Sequence, residues 1–459
     1  MDATIPQQVS NATTLRAAVR GNVHVPGDAG YDAARMAFNV TVDQRPAVVV
    51  EAAEAADVAA AVRYAKRAGL KVTGQAGGHG AQHHHTMVDT VAIRTNAMRA
   101  ITLDVERETA RVGAGVRWGE LMAVAGEYGL VGIAGSAADV GVVGYTLGGG
   151  LSWFGRRYGF SAHNVVSIEL VDARGEVVTV TASSDPELFW ALRGGGGSFG
   201  IVTAIEIELK RAPRMFGGQV AFPGDRAEAV FRAWREATRH ATADSSLTFS
   251  ITNVPPFEDI PAPIRGRSIV NVGLVHLGDE AVARALLYPI YEAGGAPIMD
   301  VMRPLTAAEI GHVAMDPEDP LPYALRAATA DRLPIEAVEG ILAVSGEGSP
   351  LTMVQVRHLG GALAQPRATH GAAGHVEAEY LVYAVGALPV PELREPVLAH
   401  LDALCAAVAP WSSGRLPLTF NEHGEDLRTT LGDETYDRLA AIKARRDPDG
   451  IFAANHTIA

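Results

Sequence analysis

The first hundred residues alternate short apolar runs with one amphipathic segment. The run AVVVEA at 47–52 is typical of a buried strand. In the following DVAAAVRYAKRAG, the residues Val58, Val62 and Ala65 recur at helical spacing until Gly69, a residue type that commonly ends a helix. KVTGQ is again strand-like. The pattern predicts a βαβ unit with a right-handed crossover and a buried parallel pair of strands.

The alternation of strands and short helices continues to about residue 212. VAIRTN, ITLDVER and ARVGAGV predict three strands, and a helix is predicted from Trp118 to Tyr128, closed by Gly129. VVSIELVDARGEVVTVTAS predicts a hairpin that turns at Asp172 to Gly175. DPELFWALR predicts a helix capped by Asp185, and IVTAIEIELK predicts a strand.

The pattern changes near residue 213. Glycine clusters give way to longer strand-like runs such as QVAFP, SIVNVGLVHLG, LTMVQVRHLG and VEAEYLVYAV, with helical stretches at about 226–241 and 391–408. A mainly antiparallel sheet covered by helices is the simplest interpretation of 213–414, and the overall fold class is α/β (α+β). Residues 415–459 predict one more helix, a turn and a tail.

Composition narrows the class of protein. The chain has 459 residues, of which 48% are hydrophobic and 20% charged, as expected for a globular protein of two domains or one elaborated α/β body. The formal charge of −13 includes no basic cluster, so nucleic acid is not an expected partner. The N-terminus has no signal-peptide pattern and no apolar stretch reaches a membrane-spanning length, so we expect a cytoplasmic protein. Cys405, the single cysteine, lies in an apolar helical stretch and is expected to pack there.

Three glycine clusters stand out, at 74–80, 141–150 and 193–200. Such loops let backbone N–H groups converge on an anion, and together they predict a site for a diphosphate or a ring system, the alternative being three unrelated turns. No Walker motif occurs. The one G-x-G-x-x-G, from Gly195 to Gly200, follows a predicted helix and leads into a strand, which is the reverse of the Rossmann order.

Four segments resemble a known family. VTGQAGGHG, GSAADVGVVGYTLGGGLSWFGRRYGF, DPELFWALRGGGGSFGIVTAIEIEL and YDRLAAIKARRDPDGIFAANHTI are similar, in this order, to the FAD-linked oxidases of the vanillyl-alcohol oxidase (PCMH-type) superfamily, and most of all to the berberine-bridge-enzyme-like branch. The resemblance covers about 46–209 and 420–459. It implies a split FAD-binding domain of two subdomains in 1–212, with its core at about 43–212. It also implies an inserted substrate domain in 213–414 and a segment, 415–459, that returns to the FAD domain.

The resemblance further implies which residues hold FAD. They are Gln75, Ala76, Gly77, Gly78, His79 and Gly80 at the pyrophosphate, Ser136, Val140, Gly141, Gly144, Tyr145, Leu147 and Gly148 beside the cofactor, and Gly200, Val202 and Asn455. In the family, the histidine at the position of His79 bonds to the flavin 8α-methyl carbon through a neutral ring nitrogen. The alternative is a non-covalent loop histidine. Many members add a cysteine bond where this chain has Ala137, so FAD is expected to be attached through His79 only.

The family's usual catalytic tyrosine near the C-terminus is missing, because the segment reads Pro-Leu-Thr-Phe-Asn-Glu-His at 417–423. Asn421, Glu422 and His423 are candidates to approach the substrate, and a solvated loop is the alternative. Tyr145 is a further catalytic candidate.

The predicted strand Val376 to Val385 offers other candidates. Its alternation places Glu377, Glu379 and Tyr383 on one face. The opposite face is more apolar and is expected to pack under the covering helices; it consists of Val376, Ala378, Tyr380 and Val382. Ala378-Glu379-Tyr380 resembles a family segment whose glutamate can act as a base, so Glu379 is the first candidate and Tyr383 a weaker one. The alternative for Glu379 is a solvated or ion-paired carboxylate.

The function predicted from the resemblance is an oxidase. Substrate C–H would pass a hydride to FAD, and dioxygen would reoxidise the flavin to give hydrogen peroxide, with Val140 leaving room for dioxygen. A flavin-dependent oxidative cyclase or oxygenase and a dehydrogenase with another acceptor are alternatives. His83, His84 and His85 raise the question of a metal, but adjacent side chains rarely converge on one ion, so no metal site is predicted. The expected partners are a small-molecule substrate and dioxygen.

Overall fold

A computed structural model describes residues 12–81, 87–212, 214–256, 258, 260, 262–422, 424 and 426–458. Three main sheets follow one another along the chain. Short 3-10 turns connect some elements, at Ser161–Asn164, Gly224–Arg226, Ala307–His312, Gly361–Ala364, Pro391–Leu393, Ala409–Trp411 and Leu418–Phe420. Within these described ranges, no helix combines the length and apolar character needed to cross a bilayer.

The first sheet contains the predicted βαβ unit. Its strands are β1 (Asn22–His24), β2 (Val48–Glu51), β3 (Lys71–Gln75) and β4 (Thr90–Arg94), and its helices are α1 (Thr13–Arg16), α2 (Tyr31–Arg35) and α3 (Ala55–Ala68). Helix α3 ends at Gly69, where φ is +66°, as predicted. The strand order is β1-β2-β4-β3, so β2 and β3 are each parallel to β4 but do not pair with each other. The two strands of the predicted unit are therefore parallel, with β4, buried along most of its length, between them.

The second sheet is antiparallel, with the order β5-β6-β10-β8-β9, and a separate two-stranded pair joins β7 to β11. The elements are β5 (Ile101–Asp104), β6 (Thr109–Gly113), α4 (Trp118–Gly126), β7 (Leu130–Val131), α5 (Val142–Leu147), α6 (Gly155–Tyr158), β8 (Val165–Val171), β9 (Val177–Val180), α7 (Pro186–Leu192), β10 (Ile201–Glu208) and β11 (Lys210–Arg211). The Asp185 side chain accepts from Leu188 N and caps α7, as predicted. Helix α4 ends two residues before the predicted Tyr128, since its last turn tightens into bonds from Tyr128 N to Ala125 O and from Gly129 N to Gly126 O.

The third sheet has eight strands, with the antiparallel order β15-β12-β14-β13-β18-β19-β17 and β16 beside β12. The elements are β12 (Met215–Pro223), α8 (Ala227–His240), β13 (Ser245–Asn253), β14 (Ser268–Leu277), α9 (Glu280–Gly294), β15 (Met299–Asp300), β16 (Arg303–Pro304), β17 (Tyr323–Ala330), α10 (Ile335–Ser345), β18 (Met353–His358), β19 (Tyr380–Ala387) and α11 (Arg394–Val408). One face packs under the helices through residues such as Trp234 and Leu401. The other face meets the glycine-rich half through Leu151, Phe160 and Tyr383.

Strand β19 begins at Tyr380 and not at the predicted Val376. Both of its neighbours end opposite Tyr380, since His358 of β18 and Ala330 of β17 pair with it, and a strand cannot extend past its partners. Tyr380 and Val382 do lie under the helices, as predicted. The predicted placement of Val376 and Ala378 on that face was wrong, because both lie before the strand and pack on the side of Tyr383.

The C-terminal segment returns to the first sheet. After α12 (Leu427–Leu431) and α13 (Asp433–Arg446), Phe452 forms a parallel bridge with Val72 of β3. The buried Lys443 Nζ lies 2.5 Å from Asp447 Oδ2 and donates to Ser198 O and Phe452 O. This ion pair therefore joins α13, the third glycine cluster and the tail.

A stacked pair of histidines attaches the segment before β19 to the 3-10 turn Ser161–Asn164, which precedes β8. The rings of His163 and His370 lie 3.5 Å apart at 12°, and His163 Nε2 and His370 Nδ1 both donate to Gly374 O. Burial lowers the pKa of His163 to about 3, and the charges of His370 and Arg193 act in the same direction. Burial also lowers the pKa of His370. Both rings are therefore neutral near neutral pH.

Candidate FAD and substrate site

The first glycine loop turns immediately after β3. Gly78 has φ +81°, and a Cβ there would lie 2.4 Å from Gln75 Nε2 and 3.1 Å from Ala37 Cα, so only glycine fits. Gln75 Nε2 is buried and has no hydrogen-bond partner in the described part of the chain. A buried donor without a partner is costly, so this loop is suited to receive a ligand acceptor group.

The three glycine clusters are neighbours in the fold and not three separate turns. A Cβ on Gly141 would lie 3.6 Å from Ala76 Cβ, so the first and second clusters touch. Gly196 N donates to Leu147 O at 2.9 Å and connects the second cluster to the third. From the tail, Asn455 reaches the first loop, since a Cβ on Gly80 would lie 2.7 Å from its Nδ2.

Helix α5 presents a surface without side chains between the clusters. Gly141 precedes its first turn, and a Cβ on the exposed Gly144 would meet no atom within 4 Å. Gly148 at its end packs against Thr419, whose buried hydroxyl has no partner among the described residues. Main chain can therefore approach a flat ligand closely along this helix.

His79 is held by an aromatic ring and a carboxylate. Its ring stacks on Phe38, with centroids 3.8 Å apart and planes at 18°, and its Nε2 lies 2.9 Å from Asp139 Oδ2. An ionised carboxylate only accepts, so Nε2 donates this bond, and in the neutral ring Nδ1 then carries the lone pair. Asp139 is only 8% exposed, which makes this a fixed, enclosed contact.

Sequence reasoning missed both partners of His79. Asp139 lies two residues after Ala137, in the segment compared with the family's cysteine pattern, and a carboxylate there was the available signal. Phe38 precedes the region of resemblance and carries no pattern of its own.

A polar cluster occupies the face of the third sheet that meets the glycine-rich half. Arg357 donates from Nη2 to Tyr383 OH at 2.9 Å and from Nε to Gln355 Oε1 at 2.7 Å, and Tyr383 OH donates to the same Oε1 at 3.1 Å. Gln355 and Tyr383 are direct cross-strand partners in β18 and β19, so they share this face.

The cluster extends across to the loop that precedes α5. Arg357 Nη2 also donates to Ser136 Oγ at 3.2 Å, and Ser136 Oγ donates to Asp316 Oδ2 at 2.8 Å. Arg357, Gln355, Tyr383, Ser136 and Asp316 are hereafter the Arg357 cluster. The predicted cofactor residue Ser136 thus lies between the two halves of the protein.

Burial and charge act in opposite directions within this cluster. Burial raises the pKa of Tyr383, while the charge of Arg357 lowers it. Burial alone would lower the pKa of Arg357, but Tyr383 and Asp316 hold it above its usual value, so the guanidinium is charged. Burial raises the pKa of Tyr145, whose hydroxyl has no partner in the described ranges.

The other predicted catalytic residues lie elsewhere. The side chain of Glu379 is exposed and precedes β19, and no contact joins it to the Arg357 cluster in the described chain. Asn421 is fully buried, donates to Thr430 Oγ1, and accepts from His456 Nε2 through its backbone oxygen, so it lies in neither a solvated loop nor an open substrate surface. The charge of Glu422 raises the pKa of Tyr383, which puts Glu422 on the side of the cluster. His423 and His83, His84 and His85 lie outside the described residues.

Three predicted cofactor residues contribute to the fold around the loops. Val202 is buried in β10 opposite Leu170. Gly200 has φ +155°, and a Cβ there would lie 2.4 Å from Leu170 Cδ1. The backbone oxygen of Val140 accepts from Trp118 N at the start of α4.

Comparisons with known proteins identify the cofactor class. A family model described as FAD binding domain matches residues 46–181. (R)-6-hydroxynicotine oxidase of Paenarthrobacter nicotinovorans is 27% identical over 454 residues, which is 96% of this chain and 97% of that protein. The crystal structure of 6-hydroxy-D-nicotine oxidase from Arthrobacter nicotinovorans has a TM-score of 0.82 at 25% identity, covering 96% of this chain and 98% of that one. The chain is therefore an FAD-linked oxidase, and it resembles the vanillyl-alcohol oxidase type with its berberine-bridge-enzyme-like branch.

This FAD-linked oxidoreductase has the predicted fold class. BBE-like 1 from Physcomitrella patens shares its fold, with a TM-score of 0.85 at 20% identity over 97% of this chain and 98% of that one. FAD also fits the residues present. The buried polar atoms without partners in the described chain include Gln75 Nε2, Asp139 Oδ1, Tyr145 OH and Thr419 Oγ1, all near the glycine loops. The glycine clusters and these free polar groups provide what a dinucleotide with a large flat ring requires.

Proposed function

We propose that this enzyme is an oxidase of small organic molecules that holds FAD covalently through His79 alone. The observation that carries the proposal is the contact between His79 Nε2 and Asp139 Oδ2 at 2.9 Å beside the glycine loops. When bound, FAD accepts a hydride from a substrate C–H bond and passes the electrons to dioxygen.

The protein side of the covalent attachment is supported by the state of the imidazole. Asp139 holds the Nε2 proton, and the stack on Phe38 fixes the ring plane, so Nδ1 is left as the nucleophilic atom. A second bond from cysteine is not expected, since the corresponding residue is Ala137 and the single Cys405 lies on α11 under the third sheet.

Proton transfer from the substrate is assigned to Tyr383. A base must lie within hydrogen-bond reach of the proton that it takes, and Tyr383 lies on the inner face of the sheet. The hydrogen bond from Arg357 stabilises the phenolate form that burial disfavours. Glu379 was the first candidate by resemblance, but its exposed side chain is less well placed for this role.

Retention of the flavin tests the covalent link. The purified protein is precipitated with acid, and the yellow colour should stay in the pellet. With His79→Ala the flavin should move to the supernatant, whereas His240→Ala, a variant of the exposed histidine on α8, should behave like the wild type. A colourless wild-type protein that cannot be loaded with FAD would contradict the proposal.

Peroxide formation then tests the reaction class. The name of the relative from Paenarthrobacter makes hydroxylated nitrogen heterocycles the first compounds to test, followed by alcohols and sugars. An oxidase produces hydrogen peroxide under air in proportion to substrate consumed. A dehydrogenase would turn over only with an added electron acceptor, and a cyclase or oxygenase would show a changed carbon skeleton or an added oxygen in the product.

A further inference from the structure

Arg357 differs from Arg156 and Arg326 in the partners of its guanidinium. Arg156 donates to the backbone oxygens of Ala241, Thr242, Ser245 and Leu359. Arg326 lies 3.4 Å from Asp402. Arg357 forms no ion pair in the described chain, and its hydrogen-bond partners are two hydroxyls and one amide oxygen, all neutral. The charge of Asp316 acts on Arg357 without a hydrogen bond or ion pair to it, so the guanidinium is suited to an anion supplied by a ligand.

One edge of this guanidinium is unused. Nε and Nη2 make the three hydrogen bonds of Arg357, while Nη1 donates to no acceptor among the described residues. The centres of the Tyr383 and Phe420 rings lie 5.1 Å and 5.4 Å from the guanidinium carbon, so the plane of the group is fixed. The side chain is only partly buried, so part of it stays accessible.

Asp316 does not occupy the unused edge of the Arg357 guanidinium. The charge of Asp316 helps to keep Arg357 protonated, but its Oδ2 accepts from Ser136 Oγ and not from the guanidinium. Glu422 acts electrostatically on Tyr383. Asp316 thus acts on the arginine from a distance, and no acidic group of the described residues accepts from its Nη1.

We propose that Arg357 binds an anionic oxygen of the substrate, so that the preferred substrates are small carboxylic acids or acidic phenols. The inference rests on the proposed function and deepens it, because it places this anion beside Tyr383. A planar guanidinium with a free N–H edge is suited to a carboxylate or phenolate oxygen. A charge-assisted hydrogen bond of this kind changes affinity by about ten- to a hundredfold.

Binding of three probes of similar shape tests the inference on the FAD-loaded enzyme. Benzoate, benzyl alcohol and benzylamine are titrated while the flavin absorbance spectrum is followed, and calorimetry gives the same dissociation constants independently. Benzoate should bind at least about tenfold more tightly than the other two, since only it carries an anionic oxygen.

Variants then assign the preference to Arg357. Arg357→Met should weaken benzoate about ten- to a hundredfold and leave benzyl alcohol within about threefold. Arg357→Lys should fall between, because lysine keeps the charge without the planar fork. Arg174→Met, at an exposed arginine in the β8–β9 turn, is the matched control. It should change the dissociation constant of neither benzoate nor benzyl alcohol.

Three outcomes would overturn the inference. The wild type binds all three probes equally well, Arg357→Met loses benzoate and benzyl alcohol equally, or Arg357→Met lowers the flavin reduction potential while benzoate affinity stays unchanged. The last result would mean that the charge of Arg357 stabilises the reduced flavin and not an anionic substrate. If Arg357→Met does not fold, the inference is still tested by the comparison of the three probes on the wild type and by the benzoate affinity of Arg357→Lys. A protein that binds no FAD fails the proposed function instead, and this is visible before any probe is added.

Discussion

The contact between His79 and Asp139 should control how fast the flavin becomes attached. Replacing Asp139 by Leu removes the acceptor that holds the Nε2 proton, and replacing it by Asn keeps a neutral acceptor of the same shape. Only the tautomer with a bare Nδ1 can react, and its attack makes the imidazole cationic, so the carboxylate on Nε2 both selects this tautomer and stabilises the charge that forms. The two variants therefore separate the effect of the hydrogen bond from the effect of its charge.

The size of the effect follows from the 2.9 Å bond between Nε2 and Oδ2 in an enclosed site. A hydrogen bond to a charged group contributes about 1.5–3 kcal/mol, which corresponds to a factor of about 10–150 in rate if this stabilisation of the transition state is lost. Asp139→Leu should therefore attach flavin about ten- to a hundredfold more slowly than the wild type. Asp139→Asn should be slowed less, by about fivefold, because it loses mainly the charge contribution of about 1 kcal/mol.

The assay is the time course of acid-stable flavin after apoprotein is mixed with saturating FAD. Non-covalent binding is measured first, so that slow attachment is not confused with weak binding. Asp225→Asn, at an exposed aspartate before α8, serves as the control and should match the wild type. If Asp139→Leu attaches flavin at the wild-type rate, the carboxylate does not select the reactive tautomer and the reasoning fails.

Three further predictions concern stability and turnover. Lys443→Met should lower the free energy of unfolding by about 3–5 kcal/mol in chemical denaturation, because Asp447 is left buried without its cation. Adding Asp447→Leu should recover part of this loss. If the double variant recovers no stability, the pairing of the two charges is contradicted. Tyr383→Phe should slow anaerobic flavin reduction by about a hundredfold or more with unchanged flavin content, measured by stopped flow; a rate within threefold of the wild type would exclude Tyr383 as the base. Because burial lowers the pKa of His163 to about 3 while an unfolded imidazole titrates near about 6.5, the contribution of the neutral ring is complete above that pH and is lost as the pH falls towards 3. The expected slope is at most about 1.4 kcal/mol per pH unit for this residue, and His163→Phe should flatten it in urea titrations between pH 4 and 7, with an unchanged slope as the opposing result.

Local signals in the sequence were sufficient to predict where many helices and turns begin and end. Gly69 ends α3 and Asp185 caps α7 because each decides the conformation of its own few residues. The hairpin turn at Asp172 to Gly175 closes with Gly175 N donating to Asp172 O. The start of β19 could not be predicted in this way, since it depends on where β17 and β18 end, far along the chain.

The same distinction applies to the site. The glycine clusters are local patterns, and their composition predicted both the loops and a common site for them. The partners that give the side chains their chemistry come from far away in sequence: His79 and Asp139 are 60 residues apart, and Arg357 and Ser136 are 221 apart. Periodicity carries no information about such pairs. A resemblance also transfers only residues that match a motif, so it favours Glu379 over Tyr383. The start of β19 at Tyr380 leaves Glu379 before the strand with an exposed side chain.

The return of the tail to β3 has a consequence for biosynthesis. Val72 N donates to Ile451 O, Ala453 N donates to Val72 O, and Asn455 borders Gly80, so the first glycine loop is complete only with residues 451–455 in place. A ribosome exposes those residues after everything before them has already left the exit tunnel. The nascent chain therefore keeps this loop unfinished until residues 451–455 have emerged, so loading with flavin follows the synthesis of all three sheets.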